Sequence, residues 1–315
     1  MSRWLNIVIA SLVAICGALA VAYWSFNDEP LMLNDEARRK NTGFQFESSL
    51  GITQYDLLGL ENSPVVVLVH GVSGPMKVWD KTVTALTNAN RRVLRYDLFG
   101  RGSSDRVSAE YNPELYDRQL HDLILGLGLK TPVTLVGSSM GAVISTNFVN
   151  KHPEMVKSLV LIGPAGFPIE AAAASQLMFV PFVGEYVMGT IGARMLQSHH
   201  WKYFVKPESF PEMHAAFAAQ LKFKGTKRAI LSTMRHMPVR DFSAGYKKIG
   251  GSQIPVLLLW GTQDVTFPFH NHAKAQQFIP QASFFPIENA AYLPQYEAAP
   301  ETNQRIIDFV TSGRE

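Results

Sequence analysis

The residues Gly137-Ser138-Ser139-Met140-Gly141 are where residue type and spacing in this chain specify chemistry most directly. They follow an apolar run ending at Val136 and open a helical pattern through Val143, Ile144 and Phe148 to about Lys151. A G-x-S-x-G between a strand and a helix makes a sharp turn that lifts the serine Oγ above the sheet. The spacing marks Ser139 as the nucleophile, and Ser138 as not. Gly137 and Gly141 are required because helix and strand pass close together. The backbone N–H of Met140 points into the same space. A second donor belongs just past an earlier strand end, where His70-Gly71-Val72 assigns it to Val72, and two such N–H groups form an oxyanion hole. His70 reads as shaping the turn beneath the site with Gly71 rather than as a base. Asp264, in Gly261-Thr262-Gln263-Asp264, comes late in the chain after another apolar run. It fits the acid of a Ser…Asp…His order, which would orient an imidazole. Its other reading is a helix cap.

These residues need a scaffold, and the chain supplies one. Val65–Val69, Val93–Tyr96, Val133–Val136, Leu159–Ile162 and Val256–Trp260 are short continuous apolar runs, with a weaker one at Ser283–Phe285. Such runs, separated by helical patterns, predict an α/β domain over 46–315: a mostly parallel central sheet flanked by helices. Reactive groups then belong at the carboxyl ends of the strands. The alternation breaks at about 167–248, which reads as a helical cap. Met178, Phe179, Phe182, Tyr186, Met188, Met195, Trp201, Tyr203, Phe204, Phe217 and Phe223 fall in it. These side chains would either line an apolar pocket or pack the cap onto the sheet.

The run from Leu5 to Trp24 carries no charge. It is long enough to span a bilayer as a helix of about 20 residues. Arg3 precedes it, Tyr23 and Trp24 close it, and Asp28 and Glu29 follow. Residues 1–26 therefore read as a transmembrane signal anchor with the N-terminus cytoplasmic and the domain on the periplasmic or extracellular side. The alternative is a secreted protein, cleaved near Ala18-Leu19-Ala20. Residues 27–45 are polar and read as a linker, with Arg38-Arg39-Lys40 as the densest basic cluster. A net charge of +3 without a longer basic run gives no nucleic-acid surface. Cys16 is the only cysteine, so no disulfide framework within the chain and no thiol-rich metal site is expected.

From about Gly43 to Val310 the chain resembles the α/β-hydrolase superfamily. The resemblance rests on Val69-His70-Gly71, on Asp97-Leu98-Phe99-Gly100-Arg101-Gly102-Ser103-Ser104-Asp105, on the serine turn, and on Trp260-Gly261-Thr262-Gln263-Asp264. Bacterial lipase- and esterase-like members are the most similar. The resemblance implies a carboxylic-ester hydrolase that needs no metal or organic cofactor and acts on a small apolar ester or lipid. The serine argues against haloalkane dehalogenases and epoxide hydrolases, which carry an aspartate there. The superfamily usually continues after its last strand with Gly-His-x-Pro-x-x-Glu. Here Ala291-Tyr292-Leu293-Pro294-Gln295-Tyr296-Glu297 stands in that register, so Tyr292 occupies the histidine position. Tyrosine, with a pKa of about 10, is a poor base at neutral pH. His236, His270 or His272 could supply a relocated base. Alternatively the chain is a catalytically degenerate ligand-binding protein, or runs another reaction such as a lyase. Tyr292 is expected to hydrogen-bond Asp264, and Ala291 to sit in a turn whose backbone favours glycine.

Overall fold

The computed structural model describes residues 3–39, 43–72, 74–168 and 176–312. Each apolar run of the sequence becomes a strand: β3 (Val65–Val69), β4 (Arg92–Tyr96), β5 (Val133–Ser138), β6 (Val156–Ile162), β7 (Val256–Gly261) and β8 (Ser283–Ile287). Two more, β1 (Phe44–Ser48) and β2 (Gly51–Leu58), form a hairpin at one edge. The sheet order is β1-β2-β4-β3-β5-β6-β7-β8. All pairings from β4 to β8 are parallel, and only β1–β2 and β2–β4 are antiparallel. Every residue of β3, β5 and β7 is buried, as strands covered by helices on both faces must be. Parallel strands end on one side, so Gly71, Ser139 and the Asp264 turn emerge along a single edge.

The flanking helices follow from ordinary signals. The helix Pro113–Gly126 starts with Asn112 accepting the Leu115 N–H (3.0 Å) and with Pro113 in its first turn. Leu115, Tyr116, Leu120, Leu123 and Ile124 recur at helical spacing along it, and all five are buried in the main core.

Between β6 and β7 the described chain is helical: Val183–Thr190, Gly192–His200, Pro211–Gln220, Thr226–His236 and Ser243–Gly250, with short 3-10 turns. The span read as a cap is thus helical where it is described, and residues 169–175 of it lie outside the described residues. The Gly166 N–H donates to the Val239 carbonyl and the Phe242 N–H to the Gly166 carbonyl, which closes the insertion there (2.8 Å each). Ser243–Gly250 packs instead on the helix Met140–Lys151, where Asn150 Nδ2 donates to the Gly245 carbonyl (3.0 Å). Inside the cap, Met178, Met188, Phe217, Leu221, Ile230 and Leu231 form their own buried cluster, whereas Tyr203 and Phe204 join the main core.

The helix Arg3–Phe26, 24 residues, is long and apolar enough to cross a membrane. The following segment is no free linker. The Glu29 carboxylate accepts the Gly225 and Lys227 N–H groups (3.0 and 2.6 Å), capping the helix Thr226–His236. Leu31 pairs its backbone with Lys222 and Lys224. Arg38, in the short helix Asp35–Arg39, is buried against Asp105 and the Ser103 carbonyl. Glu29 and Arg38 are thus polar toward the domain, while Asn27, Asp28, Asn34, Asp35, Glu36 and Arg39 are exposed. Of the basic cluster, Lys40 lies outside the described residues.

Candidate active site

Ser139 joins β5 to the helix Met140–Lys151 with φ 57° and ψ −120°. A non-glycine residue with such a backbone is strained, and the surroundings impose it. A methyl on Gly137 would stand 2.4 Å from the Gly141 carbonyl oxygen, and one on Gly141 2.0 Å from that of Val69. No side chain fits either place, so helix and strands converge on the serine. Ser139 is 1% exposed. Ser138 stays within β5, and its hydroxyl accepts from Gln295 Nε2 (3.4 Å) in the packing below.

The first N–H groups of a helix lack intrahelical partners and carry its positive end, so Met140 begins the helix where an oxyanion would gather charge. On the other side, the Val72 carbonyl is gripped by Arg101 Nε (2.5 Å). Arg101 is fully buried and also donates from Nη2 to Thr233 Oγ1 in the cap (3.0 Å). It thereby ties the Val72 carbonyl to the cap. Sequence reading does not single out Arg101; its place beside four small residues in Asp97–Asp105 is the available signal.

His70 is wholly buried. A backbone N–H can only donate, so Nε2 accepts from Leu98 (2.9 Å) and Nδ1–H donates to the Gly71 carbonyl (2.7 Å). Burial pushes its pKa down to about 3. Both ring nitrogens are engaged with the backbone and neither is offered to Ser139.

Asp264 Oδ1 accepts the Thr266 and Phe267 N–H groups (2.8 and 3.0 Å). Oδ2, the oxygen an imidazole would engage, is buried without a protein partner, as is Ser139 Oγ. Burial outweighs those hydrogen bonds and raises the Asp264 pKa to about 7.

Tyr292 is brought to the serine. A methyl on Gly71 would lie 2.9 Å from Tyr292 Oη and 3.2 Å from Ser139 Oγ, so both hydroxyls meet over the Gly71 backbone. Burial, with Tyr203 beside it, drives the Tyr292 phenol pKa well above 10, against a downward pull from Ser139. The expected hydrogen bond from Tyr292 to Asp264 is not formed. An imidazole presents nitrogens at two points along its length, but a phenol has one polar atom at its tip, which overshoots the carboxylate and reaches the serine. The Tyr292 ring packs on Tyr203 of the cap, centroids 4.3 Å apart.

The turn itself is held by Glu297, whose Oε1 accepts from Val205 N–H (2.6 Å) and Oε2 from Ala291 N–H (2.9 Å). Ala291 is not among the residues of positive φ. The expected need for glycine there is therefore corrected: the turn is closed by a carboxylate, not by an unusual backbone.

None of the three histidines considered as relocated bases is hydrogen-bonded to Ser139. His236 is exposed, bonded through Nδ1 to Ser232 and 3.8 Å from Glu110. His272 donates to the Phe269 carbonyl (2.8 Å) and stacks on Phe284. His270 is exposed. One cavity of about 970 Å³ lies among residues 31–37, 75–77 and 216–223, and another of about 360 Å³ lies beside Tyr23. Neither borders Ser139.

A family model described as "alpha/beta hydrolase fold" matches residues 64–299. Lipase 1 of Psychrobacter immobilis is 26% identical over 238 residues, 75% of this chain and 74% of its own length. Carboxylesterase YbfK of Bacillus subtilis is 24% identical over 279 residues, 87% of this chain and 89% of its own. Among solved structures, a thermophilic esterase from Thermogutta terrifontis superposes with a TM-score of 0.73 at 22% identity, covering 86% of this chain and 99% of that one. At that identity the superposition speaks for the fold alone.

Proposed function

The chain belongs to the alpha/beta hydrolase fold family, and from that premise we propose that it is a membrane-anchored serine hydrolase of carboxylic esters, of lipase/esterase type and low turnover. The observation that carries this reading is the strained backbone of Ser139, which sets its Oγ where Gly71 and Tyr292 converge. Ser139 Oγ attacks the acyl carbon, and the Met140 and Val72 N–H groups receive the oxyanion. Asp264 holds the acid position. The serine proton must leave as the new C–O bond forms, and the leaving alkoxide must gain one as the old bond breaks. Tyr292, protonated and beside the serine, can pass its proton to the alkoxide and take the serine's in exchange, but it is no base at neutral pH. Acylation is then slow and rises with pH. The substrate is a small apolar ester or a lipid. Arg3–Phe26 anchors the domain on the non-cytoplasmic side, with cleavage and secretion as the alternative fate.

The partnerless Asp264 Oδ2 favours a second reading, a ligand-binding protein that has lost catalysis. A fluorophosphonate probe and hydrolysis of a short and a long acyl ester separate the two. Covalent labelling and slow turnover, both absent in Ser139→Ala, are expected. A folded wild type that neither labels nor turns over would leave the binding reading.

A further inference from the structure

The cap carries a run of side chains that the site does not use. Leu177, Phe179, Val180, Phe182 and Val183 are all exposed, Phe182 at 86%. Single exposed apolar residues are ordinary, but a contiguous group marks an interaction surface. The run is built rather than loose. Phe182 has φ 66°, the Gly184 N–H donates to the Val180 carbonyl (2.9 Å), and Arg235 Nε donates to the Met178 carbonyl (2.7 Å). A strained aromatic residue is thus held pointing outward.

The contacts of the N-terminal helix say which way this run faces. Arg194 lies over the Phe26 ring (5.9 Å). Three residues earlier in that helix, Tyr23 packs on Gly189 and stacks on Tyr186, ring centroids 6.2 Å apart. Going backward along the cap therefore goes backward along Arg3–Phe26, since 194 to 189 and 186 follows 26 to 23. Continued at 1.5 Å per helical residue, Phe182 lies about 6 Å beyond Tyr186 and about 10 Å beyond Gly189 in that direction. Tyr23 and Trp24 are the residues suited to a membrane–water interface. A point about 6–10 Å past them reaches the hydrocarbon, whose thickness is about 30 Å.

We propose that the cap edge around Phe182 is inserted into the lipid bilayer, so that the cap is seated on acyl chains beside the N-terminal helix. This rests on the reading of Arg3–Phe26 as a membrane anchor. The occupant is lipid because the run continues the apolar surface of that helix on the same side of the cap. The seated cap would bring the roof over Tyr203 and Tyr292 to the membrane surface.

The full chain in vesicles of phosphatidylethanolamine and phosphatidylglycerol tests it. A nitroxide on the native Cys16 reports the anchor. The same label on Phe182→Cys, in a Cys16→Ser background, reports the cap. Leu60→Cys is the aqueous reference, exposed just past the β2 end that lies away from the catalytic edge of the sheet. The ratio of oxygen to nickel-chelate collision at position 182 should exceed that at 60 several-fold and approach that at 16. A ratio at 182 equal to that at 60, while Cys16 is bilayer-buried, overturns the proposal and leaves the anchor standing. Exclusion of both relaxants at 182 also overturns it, because a second protein copy then covers the patch. A water-exposed Cys16 overturns the anchor reading, and the proposal survives that only if 182 remains oxygen-rich.

Discussion

Around Ser139 the fold is constrained by backbone against backbone, whereas around Tyr292 it is constrained by side chains. At the first place, Gly137 and Gly141 leave no room for a methyl group against the Gly141 and Val69 carbonyls. At the second, Glu297 holds the Ala291 N–H and the cap at once, and Tyr203 closes over the ring. The difference decides what can change. Altering a side chain at the first place disrupts the strand-to-helix turn. At the second, a side chain can be exchanged while the turn keeps its place, which is why we propose that the phenol of Tyr292 stands at the position of the base. Two buried oxygens beside it, Ser139 Oγ and Asp264 Oδ2, are left without hydrogen-bond partners.

The sharpest way to break this comparison is Tyr292→His. If only the side chain has changed, an imidazole at 292 finds Asp264 Oδ2 and Ser139 Oγ both waiting. kcat for a short acyl ester should rise about 10²–10⁴-fold, the usual contribution of a positioned general base. The pH profile should gain a limb near neutrality, and Ser139→Ala in the same background should abolish the gain. A folded variant without a rise would mean that the backbone half is also incompetent.

Gly141→Ala attacks the other half. Its methyl would meet the Val69 carbonyl oxygen at 2.0 Å, and backbone cannot move aside as a side-chain tip can. Denaturant unfolding should show a loss of about 3 kcal/mol, at the upper end of overpacking costs. A loss no larger than that of an average surface change would show the turn to be slack.

The same contrast explains what is legible in the sequence. Val65–Val69 and Val133–Val136 declare buried parallel strands because nothing but apolar residues fits there, and the glycine spacing announces the Ser139 turn. The hairpin β1–β2 escapes such a reading because its buried residues are polar. Thr53 accepts from Gln119, Asp56 pairs with Arg95, and the Gln54 N–H donates to Ser104. Tertiary partners, absent from any local pattern, make those residues inward-facing. In the 27–45 segment the partners of Glu29 and Arg38 are likewise distant in the chain and leave no local signal. At the site, residue identity locates Tyr292, but only the length of the phenol explains why it reaches toward Ser139 and leaves Asp264 Oδ2 without a partner.

Asp264→Asn probes that stranded carboxyl through stability. Its folded pKa of about 7 lies above its unfolded value of about 3.9. The folded state holds the proton more tightly, so between those values stability falls as pH rises, by about 1.4 kcal/mol per unit at most. The decline ends above the folded pKa. The amide keeps the oxygen that accepts from Thr266 and Phe267 and removes the ionisation. His70 and His200, each pushed down to about 3 by burial, act oppositely. They are neutral in the fold and lose stability as pH drops below about 6.5, but they do so in both proteins and cancel in the difference. The Tm advantage of Asp264→Asn should therefore widen from pH 5 to pH 8. Parallel Tm curves would mean that Asp264 is ionised in the fold and has a partner there.

The smallest effect belongs to Ala291→Gly. A backbone-constrained turn would welcome glycine, and restoring the residue usual at this position would then help a base at 292. Ala291, however, has no positive φ, its N–H is already satisfied by Glu297, and it is 2% exposed. Glycine would add freedom to the unfolded chain and remove a buried methyl without relieving any strain. Chemical unfolding should show a loss of about 1 kcal/mol or less. Hydrolysis by Tyr292→His should be the same with or without the glycine. If the double variant were instead much faster than Tyr292→His alone, the alanine backbone would be limiting the placement of the imidazole, and this turn would belong with Ser139 among the positions set by the main chain.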